Sequence, residues 1–278
     1  MKRKNIGLSA VSMITCLALA GCGATGTASS AASAADSAVS STAESVEPAE
    51  ATSEGSGALG TLLVGTDATF APFEYEESGE YTGFDIELMK AMGAQMGYSD
   101  VEFVNTEFKG LIPGLTASKF DVIASAMYVT DERKETIDFS DPYFAGGLCI
   151  MVAADNTDIT GPDTLNGHSA AVQVGTKSDT YLEENYPEVE RVTVEQNAEM
   201  FLQLESGKVD AVVTGRPAAL TYAKTSDKVK VLDENLTAED YAWGVRKDDT
   251  ELKANLNTAL AALKENGKYD EIVNKWFA

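Results

Sequence analysis

Arg133 offers the most distinctive chemistry in the chain, because a planar guanidinium fork can grip a carboxylate through two parallel hydrogen bonds where a point charge cannot. Three residues earlier, Thr130 is of a type that caps helix N-termini. A helix starting there would add free backbone amides and the positive end of its dipole to an anion site. Within Asp131-Glu132-Arg133-Lys134-Glu135 the arginine can equally serve in a surface ion pair. Gly175-Thr176-Lys177 is a second such place: a β-rich run ends, a small-residue turn follows, and a helix begins near Ser178, so its amides point where the strand ends. A plain strand-to-helix turn is the alternative. Arg216, ahead of Pro217 as first helical residue, can make another anion contact or lie in solvent. Catalytic constellations are scarce, since His168 is the one histidine and lies in the polar turn at 165–169, which leaves no triad and no zinc set. Paired carboxylates remain open because 44 acids are present.

Alternating β-rich runs and helical patterns must position these groups, a signature of mainly parallel sheet covered by helices. Strands are expected at 61–65, 101–104, 122–126, 148–153, 170–174, 211–214, 229–232 and 242–245. Ile86, Met89, Met92 and Met96 repeat at helical spacing with Gly97 as a stop, and 249–266 is stopped by Gly267 in the same way. Parallel α/β sheets bind ligands beyond the carboxyl ends of their strands, which directs attention to residues 65–73, 122–133 and 172–177.

Ahead of this region, Lys2, Arg3 and Lys4 precede a mostly apolar run of fifteen residues, 6–20, too short to span a bilayer comfortably. It ends in Leu19-Ala20-Gly21-Cys22, the anatomy of a cleavable signal peptide over 1–21. The segment resembles a bacterial lipobox, which implies that Cys22 becomes the first mature residue and carries lipid, with anchoring of about 0.8 kcal/mol per buried methylene. Residues 23–57 contain no aromatic, Lys or Arg and only Val39 and Val46 as larger aliphatics, so 22–57 is expected to be the lipidated cysteine and a flexible linker. Loss of Lys2, Arg3 and Lys4 takes the formal charge from −23 to −26, which argues against nucleic acid and anionic lipid heads as partners. With Cys16 removed and Cys22 lipidated, Cys149 is left without a disulfide partner, among apolar neighbours.

Gly83-Phe84-Asp85-Ile86-Glu87-Leu88, Phe139-Ser140-Asp141-Pro142-Tyr143, Lys208-Val209-Asp210-Ala211, and the ending Asn266-Gly267-Lys268-Tyr269 with Lys275-Trp276-Phe277 occur in an order that resembles the extracytoplasmic solute-binding proteins, family 3, which feed polar amino acids to ABC importers. The resemblance spans 59–277. It implies an α/β type II periplasmic-binding-protein fold: two lobes, each a mainly parallel sheet flanked by helices, joined by a two-strand hinge that closes on a solute. Lobe one is expected over 58–142 and 241–278, and hinge and lobe two over 143–240. The implied function is a substrate-binding lipoprotein that captures a small carboxylate-bearing solute, an amino acid or derivative, and delivers it to ABC permease subunits. It is expected to work as a monomer, outside the cytoplasm, anchored to the cell membrane through Cys22, with no enzyme activity, metal or cofactor. A ligand sensor for a membrane partner and a dehydratase-like enzyme on the same fold are the alternatives.

The resemblance also implies roles for residues. Arg133 would take the carboxylate, and Ser125, Ala126, Gln173, Thr176 and Lys177 would line the cleft. Phe70 and Phe108 match positions where relatives sandwich the ligand side chain, although either ring can instead be core, and Tyr128 is a third ring where relatives have a hydroxyl or small residue. Asp67 matches an acid that reads the far end of the ligand, or is a turn-former after the first strand. Many relatives carry an aspartate for the α-ammonium where Gly215 stands. A buried ammonium without its carboxylate is costly, so another acid such as Asp67 must substitute or the solute is not a standard α-amino acid.

Overall fold

The computed structural model describes residues 59–278; the expected signal peptide, Cys22 and the linker lie outside the described residues. Two five-stranded sheets form two lobes. In the first, Leu59–Thr66 pairs in parallel with Tyr98–Asn105 on one side and Val122–Ile123 on the other. Leu62 and Val64 alternate into the core, fully buried. Helix Phe84–Met96 crosses between the first two strands and buries Ile86, Met89 and Met92. Gly83 starts it at φ 126°, where a Cβ would lie 2.2 Å from the Phe73 carbonyl oxygen, and Gly97 ends it in the left-handed conformation.

After Asp138–Phe139 the chain crosses to the second lobe. Its sheet runs in the order Glu190–Val194, Ser169–Gln173, Ala211–Gly215, Leu148–Ala153, Val229–Asn235. The return passes along Asp240–Tyr241, antiparallel to the outgoing Phe144–Ala145, and Gly244–Val245 then enters the first sheet between Val122–Ile123 and Asp138–Phe139. That returning strand is antiparallel to both neighbours, and Leu148–Ala153 is antiparallel to Ala211–Gly215 and Val229–Asn235. In each sheet four of the five strands share one direction and a single strand is reversed, so the sheets are mainly parallel as expected, with one antiparallel strand apiece. The cause is the double crossing: a chain that leaves one sheet and re-enters it must run back alongside strands it laid down earlier.

The end of the chain packs on the first lobe. Trp276 Nε1 donates to Glu87 Oε2 at 2.9 Å, and the Phe277 ring lies 5.2 Å from both Phe73 and Phe84. Cys149 is buried and free, an apolar member of its strand.

A buried acid pair ties helix, loop and crossing together. Asp85 Oδ2 accepts from the Ala126 N–H at 2.9 Å and the Tyr143 hydroxyl at 2.6 Å, and Glu74 Oε1 accepts from the Ser125 hydroxyl at 3.1 Å. Both acids are buried, and Glu74 Oε2 and Asp85 Oδ1 have no other partner. Burial, then the Asp85 and Asp67 charges, push Glu74 well above the carboxylate range, and burial lifts Asp85 to about 7. A proton on Glu74, donated to Asp85, satisfies both orphan oxygens. Raised carboxyl pKa values stabilise the fold fully below the unfolded values near 4, and that contribution disappears as pH rises through about 7. Glu74→Gln retains donor and acceptor without needing a proton. We expect it to be more stable than the parent at pH 8, by on the order of 1–2 kcal/mol and seen as a higher melting temperature, with a flatter profile from pH 4 to 8; parallel profiles would exclude the shared proton.

Candidate functional site

A cavity with about 410 Å³ of space between atoms, open solvent at its mouth included, lies between the lobes, at the carboxyl ends of strands from both sheets. Asp67 follows Leu59–Thr66, Ser125 and Ala126 follow Val122–Ile123, Gln173 ends Ser169–Gln173, and Thr214 and Gly215 end Ala211–Gly215. Phe70, Phe108, Tyr128, Thr176 and Lys177 also line it, so ten of the eleven residues expected at the site meet there.

The lobes touch directly across this cavity. Gln173 Nε2 donates to Asp67 Oδ2 at 2.5 Å and to the Glu195 carbonyl at 2.9 Å, while Gln173 Oε1 accepts from Asn197 Nδ2 at 2.7 Å. The other Asp67 oxygen accepts from the Thr69 hydroxyl at 3.0 Å. Burial raises the Asp67 pKa, and the bonds from Gln173 and Thr69 oppose that rise. Ser125 joins the two acids, its hydroxyl accepting from the Asp67 N–H at 3.0 Å and donating to Glu74. Ala126 stands at φ 41°, an uncommon conformation for a side chain with a Cβ, fixed by the Asp85 bond to its N–H.

Gly215 is where the backbone must be bare. A Cβ there would stand 2.2 Å from Tyr241 Oη, 3.2 Å from Tyr128 Oη and 3.4 Å from the Phe70 ring. The two tyrosine hydroxyls are 3.0 Å apart, and Tyr128 donates to the Gly147 carbonyl at 3.0 Å. The tyrosine pair thus fills the space that an aspartate side chain at 215 would need. Phe70 stacks on Phe73 with centroids 5.6 Å apart, so it is at once cavity wall and edge of the core.

Arg133 is the exception among the expected residues. Thr130 Oγ1 accepts from its backbone N–H at 3.2 Å, as a helix cap should, but the guanidinium does not line the cavity. Its two amino groups donate to the Tyr128 carbonyl at 2.8 Å and, across the lobes, to the Gly175 carbonyl at 3.3 Å. The group lies 5.3 Å from the Phe108 centroid, in an outer chamber shared with Lys177, Thr180 and Glu184. Burial lowers its pKa to about 10, so it stays charged at neutral pH. The short helix Asp131–Thr136 turns the side chain back along its own loop, past the cavity rather than into it.

Glu74, Ser178, Asn197, Met200, Thr214 and Tyr241 line the cavity without having been expected there. Ser178 and Thr214 adjoin residues that were singled out, so strand-end proximity could have found them. Asn197 follows Glu190–Val194, a strand the hydrophobic pattern does not mark, and Tyr241 lies on the return crossing. Among the described residues no cluster of His, Cys, Asp and Glu is placed to hold a metal, and no helix is long and apolar enough to cross a membrane.

Comparison with known proteins agrees with this geometry. Residues 62–278 match the family model for bacterial extracellular solute-binding proteins, family 3. The chain is 33% identical over 229 residues to the ABC transporter arginine-binding protein 1 of Escherichia coli K12, covering 80% of this chain and 93% of that one. An ancestral arginine-binding protein bound to arginine superposes with a TM-score of 0.75 at 40% identity, over 78% of this chain and 98% of its own. An ancestral amino acid-binding protein, AncCDT-1, a precursor of cyclohexadienyl dehydratase, superposes with a TM-score of 0.73 at 42% identity, over 78% and 95%. Two α/β lobes meeting over a cavity, a family match over residues 62–278 and relatives named for binding amino acids lead to one conclusion: the chain belongs to the bacterial extracellular solute-binding proteins, family 3.

Proposed function

We propose that this protein captures a small polar solute bearing a carboxylate, an amino acid or a derivative of one, and delivers it to the permease subunits of an ABC importer. The observation that carries this is the cavity itself, whose walls come from both lobes and join across it through Asp67 and Gln173. A solute seated there contacts both lobes at once, so its binding energy favours the closed arrangement that a permease would read. Similarity to amino acid-binding relatives supports the class of solute. Asp67 offers acceptor oxygens to a cationic end, and Phe70, Phe108 and Tyr128 offer faces to an apolar stem. We further propose that the protein works as a monomer, held at the membrane by lipid on Cys22.

One observation favours a second reading. A buried acid whose pKa is raised in a cleft can move protons, and Glu74 is such a group in the cavity wall. A dehydratase-like activity would use it, and the likeness to AncCDT-1 bears on that class of chemistry.

Thermal-shift and calorimetric titration of the mature body with L-arginine, L-lysine, L-histidine and L-glutamine is expected to give saturable stabilisation by at least one of them, unchanged on standing. Turnover of the bound compound would establish the enzyme reading instead. Asp67→Ala is expected to weaken that binding about 10- to 100-fold, by leaving Gln173 and the solute's donor without their acceptor. Unaltered affinity would remove Asp67 from the site. For the anchor, Cys22→Ser in the full-length chain should shift the protein from the membrane fraction to the medium or periplasm; retention at the membrane would contradict lipidation there.

A further inference from the structure

Helix Arg216–Thr225 buries Ala218 and Ala219 in the second lobe. Along its outer side Arg216, Leu220 and Lys224 recur every four residues, with Pro217 and Thr221 beside them. A single exposed apolar side chain on a helix is ordinary. Leu220, 43% exposed, does not stand alone: it faces a groove, with Pro217 and Ala223 from the same helix and Phe144, Ala145 and Phe277 from elsewhere. The groove has about 1080 Å³ of space between atoms, open solvent included, and shares no wall residue with the solute cavity.

The charge of this groove departs from that of the chain. Acids outnumber Lys and Arg by 44 to 21 in the sequence, yet Arg216 and Lys224 are the charged residues lining the groove and no acid lines it. Among the described residues neither cation makes an ion pair: Arg216 Nη1 donates to the Leu232 carbonyl at 2.9 Å, and Lys224 Nζ donates to the Phe277 carbonyl at 3.4 Å. The helix dipole accounts for Lys224, which lies in the last turn, but it disfavours Arg216, which is the first helical residue. An apolar floor between two cations suits a molecule with an apolar body and a negative end.

We propose that this groove is a second ligand site, for a small amphipathic anion whose apolar body lies on Leu220, Phe144 and Phe277 and whose carboxylate or sulfonate meets Arg216 and Lys224. The groove is built at the hinge: helix Arg216–Thr225 belongs to the second lobe, Phe277 packs on the first, and Phe144–Ala145 is the outgoing crossing. An occupant touches all three and therefore fits one angle between the lobes best. It stabilises the arrangement in which Gln173 bonds to Asp67, and by linkage it tightens solute binding by the same factor. That coupling rests on the solute-binding reading; the site itself does not.

The test follows the fluorescence of anilinonaphthalene sulfonate, itself an apolar anion, on the mature chain carrying Cys22→Ser, so that no acyl chain takes up the dye; sodium octanoate and octylammonium chloride are the competitors. Saturable dye binding is expected, displaced by octanoate and not by octylammonium. Leu220→Asp and Lys224→Glu are expected to weaken dye and octanoate by about tenfold or more. Leu202→Asp, at a leucine 63% exposed and outside the groove, should leave both unchanged. Melting temperatures check that each variant is folded. Equal displacement by octylammonium, dye binding that neither groove variant alters, or a dimer that Leu220→Asp dissociates overturns the proposal, the last in favour of a second copy as the occupant. Saturating octanoate should tighten the amino acid that gives the largest thermal shift by about fivefold; equal affinity with and without octanoate overturns the coupling. If none of the four amino acids binds, the solute-binding reading fails, and displacement of the dye still decides the groove.

Discussion

A single buried hydrogen bond, from the Gln173 amide of one lobe to the Asp67 carboxylate of the other, is the contact on which the space between the lobes depends. A carboxylate is tolerated away from water only when its oxygens are bonded, and one oxygen of Asp67 has Thr69 of its own lobe while the other has Gln173 across the gap. Gln173 is itself fixed by Asn197 and the Glu195 carbonyl, so its orientation is set before the lobes meet. The connection that permits the lobes to part is slight: Phe144–Ala145 pairs with Asp240–Tyr241 over two residues. Few torsions need change for a hinge motion there. Rim contacts such as the exposed Lys109–Glu195 pair contribute little beside the buried bond.

Around that contact the cavity is divided by chemistry as well as by lobe. The first lobe brings acids and acceptor oxygens, backed by the Glu74–Asp85 pair and stiffened by Tyr143 and Ala126. The second brings the start of helix Lys177–Asn185, with Lys177 and Ser178 in the wall. A zwitterionic or otherwise polar solute has one orientation that satisfies both walls, and the reverse orientation would set its anion against Asp67. Specificity of this kind comes from penalising the wrong arrangement as much as from rewarding the right one.

Much of this could be read in the chain. Apolar alternation marks Leu59–Thr66, helical spacing with Gly97 marks Phe84–Met96, and ten cavity residues lie where strand ends and family motifs placed them. Two-residue strands such as Asp138–Phe139 and Asp240–Tyr241 carry no periodicity to read, and Glu190–Val194 is half exposed, so its pattern is faint. The reversed strand in each sheet follows from the double crossing, a property of the whole path and of no local run. Arg133 was legible as a residue type but not as a direction: its fork suits a carboxylate, and in the fold it suits two carbonyls equally well. Gly215 was legible as a missing charge, while the tyrosines that occupy its surroundings come from positions 87 and 26 residues away in the chain, by the differences 215 − 128 and 241 − 215.

The most direct measurement is a crystal structure of the mature body grown with whichever of L-arginine, L-lysine, L-histidine or L-glutamine gives the largest thermal shift. The account predicts that solute enclosed between the lobes, in contact with Asp67 and Phe70 of the first and with Gln173 and Lys177 of the second. A solute outside the cavity lined by Asp67 and Gln173 would contradict it.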